Sequence, residues 1–200
     1  MSKTLSKGSI TLITIGIVIL ILIGGTLTTY NGLVSKDEAA STAWSNLQAQ
    51  YQRRADLVPN LVNTVKGYAK HESETFENVV AARAKATQLS VDADNLTPER
   101  ARQILQAQGD LSTALGKLMA ISESYPELKA SENCSELQAQ LEGTENRIAE
   151  SRRLYNESVQ TFNTAVRRFP ANIVAGIFGF EKKSKFEAQE SAANAPQVEF

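Results

Sequence analysis

The sequence predicts an all-α protein: an N-terminal transmembrane helix, then an antiparallel bundle of three long helices with a short C-terminal capping segment. Three observations lead there. The run from Ser9 to Thr29 carries no charged side chain and is dominated by Ile10, Leu12, Ile13, Ile15 and the stretch Ile17 to Ile23. Two further stretches, one starting at Leu33 and the other at Cys134, repeat apolar residues in alternating steps of three and four, the spacing of a helix that buries one face. A helix with one wet face needs partners for the other.

At 1.5 Å per residue, the uncharged run reaches roughly 30 Å, enough to cross the hydrocarbon core of a bilayer. A cleaved signal peptide is the competing reading, with Gly24-Gly25-Thr26 imitating a cleavage site. Its apolar region is normally only about 7–15 residues, so an uncleaved anchor fits better. The chain then divides into a short tail (1–8), a single span (9–29), a helical-bundle domain (30–188) and a flexible C-terminal tail (189–200). Lys3 and Lys7 precede the span, whereas Lys36 just after it is followed at once by Asp37 and Glu38. By the positive-inside rule the N-terminus stays in the cytoplasm and the bundle lies outside, on a bacterial inner membrane.

The first seam steps through Leu33, Asp37, Ala40, Trp44, Leu47, Tyr51, Arg54, Val58, Leu61, Val65 and Tyr68, of which nine are apolar or aromatic. Asn31-Gly32 is a weak point, but one glycine costs only about 1 kcal/mol and leaves the helix continuous from the span. Pro59 cannot donate to the carbonyl of Ala55, so a kink is expected in the run Arg53-Arg54-Ala55-Asp56-Leu57-Val58-Pro59-Asn60. Arg54 either turns its guanidinium to that freed carbonyl, to Asp56 or to an acidic partner helix, or snorkels to water. Beyond Tyr68 the helix is expected to continue through Phe76 and Val79 to about Leu89. Thr97-Pro98-Glu99 then reads as an N-cap, a first-position proline and an acidic first turn. The helix it opens has Ile104, Leu111, Leu115 and Leu118 as its buried stripe and stops at Tyr125-Pro126.

The second seam runs Cys134, Leu137, Leu141, Thr144, Ile148, Ser151, Tyr155, Ser158, Phe162, Ala165 and Phe169, ending at Pro170. Its length matches the first, so the two are expected to run antiparallel. Glu145, Arg147, Glu150, Arg152, Arg153 and Glu157 would then face Arg53, Arg54 and Asp56, either as a solvated face laced with ion pairs or as polar residues that fix register. Asn156 and Asn163, seven apart, form a polar ladder on the seam's flank or simply lie at the surface. The apolar stretch Phe169 to Phe180, followed by lysines, either caps the bundle's open end or contacts membrane through Ile173, Ile177, Phe178 and Phe180.

Function classes narrow accordingly. Lys3 and Lys7 are the only charged side chains before Tyr30, leaving nineteen of the 21 basic residues beside 22 acidic ones, and such a balance has no footprint for nucleic acid. A single cysteine, Cys134, and a single histidine, His71, argue against a disulfide and a metal site. His71 with Glu72 and Glu74 is the one histidine-acid cluster; it is expected on a helix with nothing to make it catalytic. No enzyme activity, cofactor or metal is expected. The expected partners are the bilayer, through residues 9–29, and a second protein or further copies of the chain. Partner or register contacts are expected from Arg53, Arg54, Asp56, Pro59, Asn60, Arg147, Arg153, Tyr155 and Asn156.

The runs Tyr30-Asn31-Gly32-Leu33-Val34, Ala43-Trp44-Ser45, Gln52 to Val62 and Val65-Lys66-Gly67-Tyr68-Ala69-Lys70-His71-Glu72 resemble the bacterial LemA family. So do Tyr125-Pro126-Glu127-Leu128, Leu141-Glu142-Gly143-Thr144-Glu145-Asn146, Arg153-Leu154-Tyr155-Asn156 and the closing Ala195-Pro196-Gln197-Val198-Glu199-Phe200. Cys134 departs from the pattern, where an apolar aromatic is usual. The resemblance implies a single-pass membrane protein with an all-helical soluble part and no established enzymatic activity. It also implies a short N-terminus outside the cell, opposite to the charge reading.

Overall fold

The computed structural model describes residues 7–89 and 91–187, so the expected tail at 189–200 lies outside them. Helix is the only regular secondary structure among the described residues. Helix α1 (Lys7–Tyr68) runs unbroken from the apolar segment into the bundle, passing through both Gly32 and Pro59. At 1.5 Å per residue it is roughly 90 Å long. Its first third is exposed around its whole circumference, with Leu12, Leu20 and Ile21 uncovered by any other part of the chain. It is the one helix among the described residues long and apolar enough to cross a membrane. At its far end Thr26, Thr28 and Thr29 donate their hydroxyls to the carbonyls of Leu22, Gly24 and Gly25, at 2.8, 2.9 and 2.8 Å. Each hydroxyl is thus satisfied within the helix, as a lipid surrounding demands.

From Leu33 to Val65 the expected seam is the buried face of α1, apart from Asp37, which is half-buried. Tyr68 is exposed, and there the helix stops. The expected continuation to Leu89 does not occur: residues 69–72 form a turn, and α2 (Ser73–Gln88) folds back along α1. A straight continuation would have left Phe76, Val79 and Ala86 in solvent; reversal buries all three against α1 and α3. Gly67 in the last turn of α1 makes the break cheaper by about 1 kcal/mol. His71, expected on a helix, lies exposed in this turn.

A 3₁₀ turn at Ala93–Asn95 leads into α3 (Pro98–Ser124). Its cap forms as the sequence suggests, Thr97 Oγ1 accepting from the amide of Arg100 at 3.2 Å, and its four stripe residues are buried. After the single turn α4 (Pro126–Lys129), α5 (Glu132–Arg167) returns along the full length of the α1 seam. The pairings Arg54 with Glu145 and Trp44 with Tyr155, together with Leu33 and Ala165 in one cluster, fix α1 and α5 as antiparallel. With α2 and α3 paired on the other side, the bundle is four helices running up, down, up and down, one more than the sequence suggested. The last described element, α6 (Ala171–Phe178), is a helix within the stretch expected to cap the bundle or contact membrane.

Candidate functional site

Two polar constructions and one apolar surface stand out along the α1–α5 seam. The first is built round Arg54. A guanidinium on an apolar seam must find acceptors or escape to water, and this one is 1% exposed. Its Nη1 donates to Glu145 Oε1 at 2.6 Å and to Ser112 Oγ at 2.7 Å. Its Nη2 donates to the Gln108 carbonyl at 3.2 Å and to the Gln108 side-chain oxygen. Gln108 in turn donates its amide to the Ala86 carbonyl on α2 at 3.4 Å. One side chain thereby ties α1 to α3 and α5 directly, and to α2 through Gln108.

Glu145 is 39% exposed, so the pair sits at the wall of an open groove rather than in dry core. The groove, about 520 Å³, is lined by Tyr51, Arg54, Gln108, Arg152, Asn156 and Phe186 among others. Burial raises the phenol pKa of Tyr51, against the pull of Arg152 and Arg54.

The other half of the expected register set divides differently. Arg153 stays on the exposed face of α5, donating to both oxygens of Glu150 at 2.9 and 2.6 Å and to Glu157. Its hydrogen bond holds the Glu150 carboxyl below its ordinary pKa. Arg53, Asn60 and Arg147 are exposed, and exposed Asp56 accepts from Gln52, one turn back, at 2.7 Å. Of the residues expected to face each other across the seam, the fold joins only Arg54 and Glu145.

Pro59 works through an unforeseen residue. The carbonyl of Ala55 that it leaves without a helical donor accepts from Arg83 Nε of α2 at 2.7 Å. Arg54, a candidate for that task, is committed to α3 and α5 instead.

The second construction is a strap. After α6, residues 180–186 run back along α5 in extended form, and Asn156 and Asn163 clip them down. Asn163 donates to the Lys183 carbonyl and accepts the Lys183 amide, both at 2.9 Å. Asn156 does the same for Phe186, at 2.8 and 2.9 Å. The spacing matches physically: seven residues of helix rise about 10.5 Å, and three residues of extended chain cover about 10 Å. Tyr155, the buried seam residue next to Asn156, donates its hydroxyl at 2.9 Å to the carbonyl of Ser184, between the two clipped residues, and burial pushes its pKa up to about 12. The Phe186 ring enters the core beside Trp44 and Tyr155, at centroid distances of 5.7 and 5.6 Å. Trp44 also donates its indole N–H to the Val91 carbonyl at 2.8 Å, holding the α2–α3 connection.

Lys183 was not foreseen at all. It pairs with Asp37 of α1 at 2.9 Å and Asp94 at 2.6 Å, above the ring of Phe162. Burial works to lower its pKa, but the two carboxylates outweigh burial and raise it. The readable signal for the strap was the seven-residue spacing of the two asparagines, read in the sequence as a ladder of its own rather than as a peptide clip.

The apolar surface is α6. Its inner side, Val174 and Ala175, packs on Leu33, the first seam residue of α1. Gly179 ends it at φ 76°, a left-handed geometry that glycine adopts freely. The chain reverses there, and the amide of Phe180 bonds back to the Ala175 carbonyl at 3.0 Å. Phe178 and Phe180 then stand 4.7 and 5.7 Å from the ring of Tyr30, with Phe180 also 6.3 Å from Phe162. Of the four expected membrane-contact residues, Ile173, Ile177 and Phe178 are exposed; Phe180 turns inward and is half-buried. Ile173 and Ile177, one helical turn apart, form the outer row of α6, and Phe169, 77% exposed, lies in the turn just ahead of it.

A family model described as the LemA family matches residues 43–200. The chain belongs to the LemA family. The matched region takes in Trp44, the Arg54 network, both asparagine clips, the strap and α6. Among curated LemA-family relatives, the magnetosome protein MamQ of Magnetospirillum gryphiswaldense is 27% identical over 186 residues, 84% of this chain and 68% of the relative. Magnetosome protein MamQ 1 of Paramagnetospirillum magneticum is 26% identical over the same shares. Protein LemA of Metamycoplasma hominis is 26% identical over 179 residues, 90% of this chain and 76% of that one. None of these names is an enzyme's, and among the described residues of this LemA-family chain no three His, Cys, Asp or Glu side chains are grouped to hold a metal. Burial raises the pKa of the Cys134 thiol, away from the reactive thiolate form.

Proposed function

We propose that the protein is a single-pass, membrane-anchored scaffold that works through contacts, self-associating or docking a partner protein at the membrane surface, with no bond-making chemistry of its own. One observation carries this reading: the helix apolar enough to cross a membrane is also the helix that supplies one wall of the bundle core, without a break between them. An anchor joined by a flexible linker leaves its domain free to tumble, whereas a shared helix sets neighbouring domains side by side in the membrane plane. The charge bias of the N-terminus supports an inner-membrane protein with its bundle outside the cytoplasm.

Cross-linking in native membranes, followed by affinity capture of the detergent-solubilised chain and mass analysis, tests the scaffold. Cross-linked homo-oligomers or a stoichiometric partner are expected, and monomer alone with nothing captured would count against it. Protease added to intact spheroplasts tests the orientation, since protection of the bundle reverses it. A second reading, that the chain binds or reshapes lipid membrane, draws on the exposed apolar row of α6.

A further inference from the structure

We propose that α6 lies in the headgroup boundary of the same bilayer that α1 crosses, with Phe169, Ile173 and Ile177 among the acyl chains and Arg167, Arg168 and Lys182 at the level of anionic lipid phosphates. The inference rests on the reading of residues 9–29 as a membrane span.

The position of α6 along α1 is the first argument. The uncharged run ends at Thr29, and α6 packs on Leu33, four residues further on, with the ring of Phe178 tilted against that of Tyr30. Four residues of helix rise about 6 Å. An amphipathic helix at a membrane surface buries its apolar face about 5–10 Å into that boundary, so α6 is held at the right depth by its own packing. No diffusion to the surface is needed.

Composition is the second argument. On α6 Ile173 is exposed at 54% and Ile177 at 70%, with Phe178 beside them, and Phe169 in the turn just ahead of the helix is exposed at 77%. This apolar face adjoins the exposed circumference of the α1 span through Tyr30, forming one continuous surface. Exposed Arg167 and Arg168 precede the helix and exposed Lys182 follows it, while exposed Glu181 is the one acid in 167–185. Basic side chains flanking an apolar face near a lipid surface are drawn to the phosphates of anionic lipids.

The strap makes the placement rigid. Gly179 turns the chain back, and Lys183 and the Asn163 clip fix it to α1 and α5. The helix is therefore held between two packed ends and cannot swing away from the level of Tyr30.

The test uses the full chain in lipid nanodiscs. In a Cys134→Ser background, spin labels are attached through Ile177→Cys, through Leu20→Cys in the span and through Asp56→Cys high on the bundle. Nanodiscs contain phosphatidylcholine with or without phosphatidylglycerol. Labels at 177 and 20 are expected to collide severalfold more with lipid-dissolved oxygen than with an aqueous nickel chelate, and the label at 56 the reverse; Ile173→Cys repeats the measurement. Chelate access at 177 as free as at 56, with 20 still in lipid, overturns the inference and leaves the span intact. Chelate access at 20 as well removes both. A label at 177 shielded from both quenchers, and released when the protein is diluted into more lipid, means that a second copy covers α6, which also overturns it. Arg167→Gln with Arg168→Gln and Lys182→Gln is expected to make position 177 shallower only where phosphatidylglycerol is present. Identical depth in the two lipids overturns the anionic part of the proposal.

Discussion

Replacing Arg83 by alanine takes away the donor that replaces the amide Pro59 lacks. The Ala55 carbonyl sits on a residue 2% exposed, and its acceptor would be left unpaired against the bundle wall. A hydrogen bond from a charged donor contributes about 1.5–3 kcal/mol, and because Arg83 is only half-buried the lower part of that range applies. For a chain of this size each kcal/mol moves the melting temperature by about 2–4 °C, so Arg83→Ala is expected to lower it by roughly 3–8 °C. Pro59→Ala supplies the missing amide from within the helix. It should stabilise the Arg83→Ala protein more than it stabilises the parent, because in the parent the carbonyl is already occupied. The four proteins form a cycle, read by circular dichroism at 222 nm during thermal unfolding in mild detergent. A coupling of about 1 kcal/mol or more is expected; effects that add within about 0.5 kcal/mol would show that Arg83 and Pro59 are independent and refute the account.

Other consequences can be measured in the same assay. Arg54→Ala strands Gln108 and Glu145 and should cost about 3–5 kcal/mol, while Arg54→Met combined with Glu145→Gln should recover much of the loss, since both charges leave together. Trp44→Ala removes a core ring, the bond to the Val91 carbonyl and the support of Phe186, and is expected near the upper end of the ~3–5 kcal/mol range for large-to-small core changes. Leu141→Ala, with no polar bond to lose, should cost about 2–5 kcal/mol. Tyr155, with its folded pKa at about 12 against 10.0 for the free phenol, keeps its proton more firmly in the folded state. Its contribution is therefore complete below pH 10 and lost as pH rises through 12, a decline in stability that Tyr155→Phe should reduce.

Much of the fold was legible because one physical quantity, the spacing of apolar side chains, decides which face of a long helix is buried. Leu33 to Val65 and Cys134 to Phe162 are covered nearly as their periodicity demands. The break after Tyr68 was not legible, since α2 continues an apolar pattern at helical spacing and only tertiary packing favours reversal. Helix α6 was not legible because eight residues make little more than two turns and Asn172 is their one polar side chain, too little to show a period. At the candidate site, an arginine on an apolar seam announced that it needed partners, and Glu145 could be nominated from antiparallel register. Gln108 and Ser112 could not, for nothing local distinguishes a glutamine that receives a guanidinium from one facing water. The strap was hidden for a related reason: clips such as Asn156 and Asn163 act on backbone groups, which every residue carries, so the clipped segment bears no signature of its own.

These features converge on one stretch of α1. Between Tyr30 and Trp44, that helix receives the rings of Phe178 and Phe180, the inner face of α6, the Lys183 ammonium through Asp37, and the Phe186 ring. Every one of those groups comes from the chain after residue 170, and Phe180, Lys183 and Phe186 are returned along the bundle by the reversal at Gly179. A bundle closed only by loops would let the α1–α5 pair splay at its open end, where α5 finishes and α1 goes on alone. Here the last segment braces that end from two directions, apolar from α6 and polar from the strap. A tilt of the apolar segment is therefore passed to the Trp44 core rather than absorbed at Gly32, as the proposed scaffold reading requires.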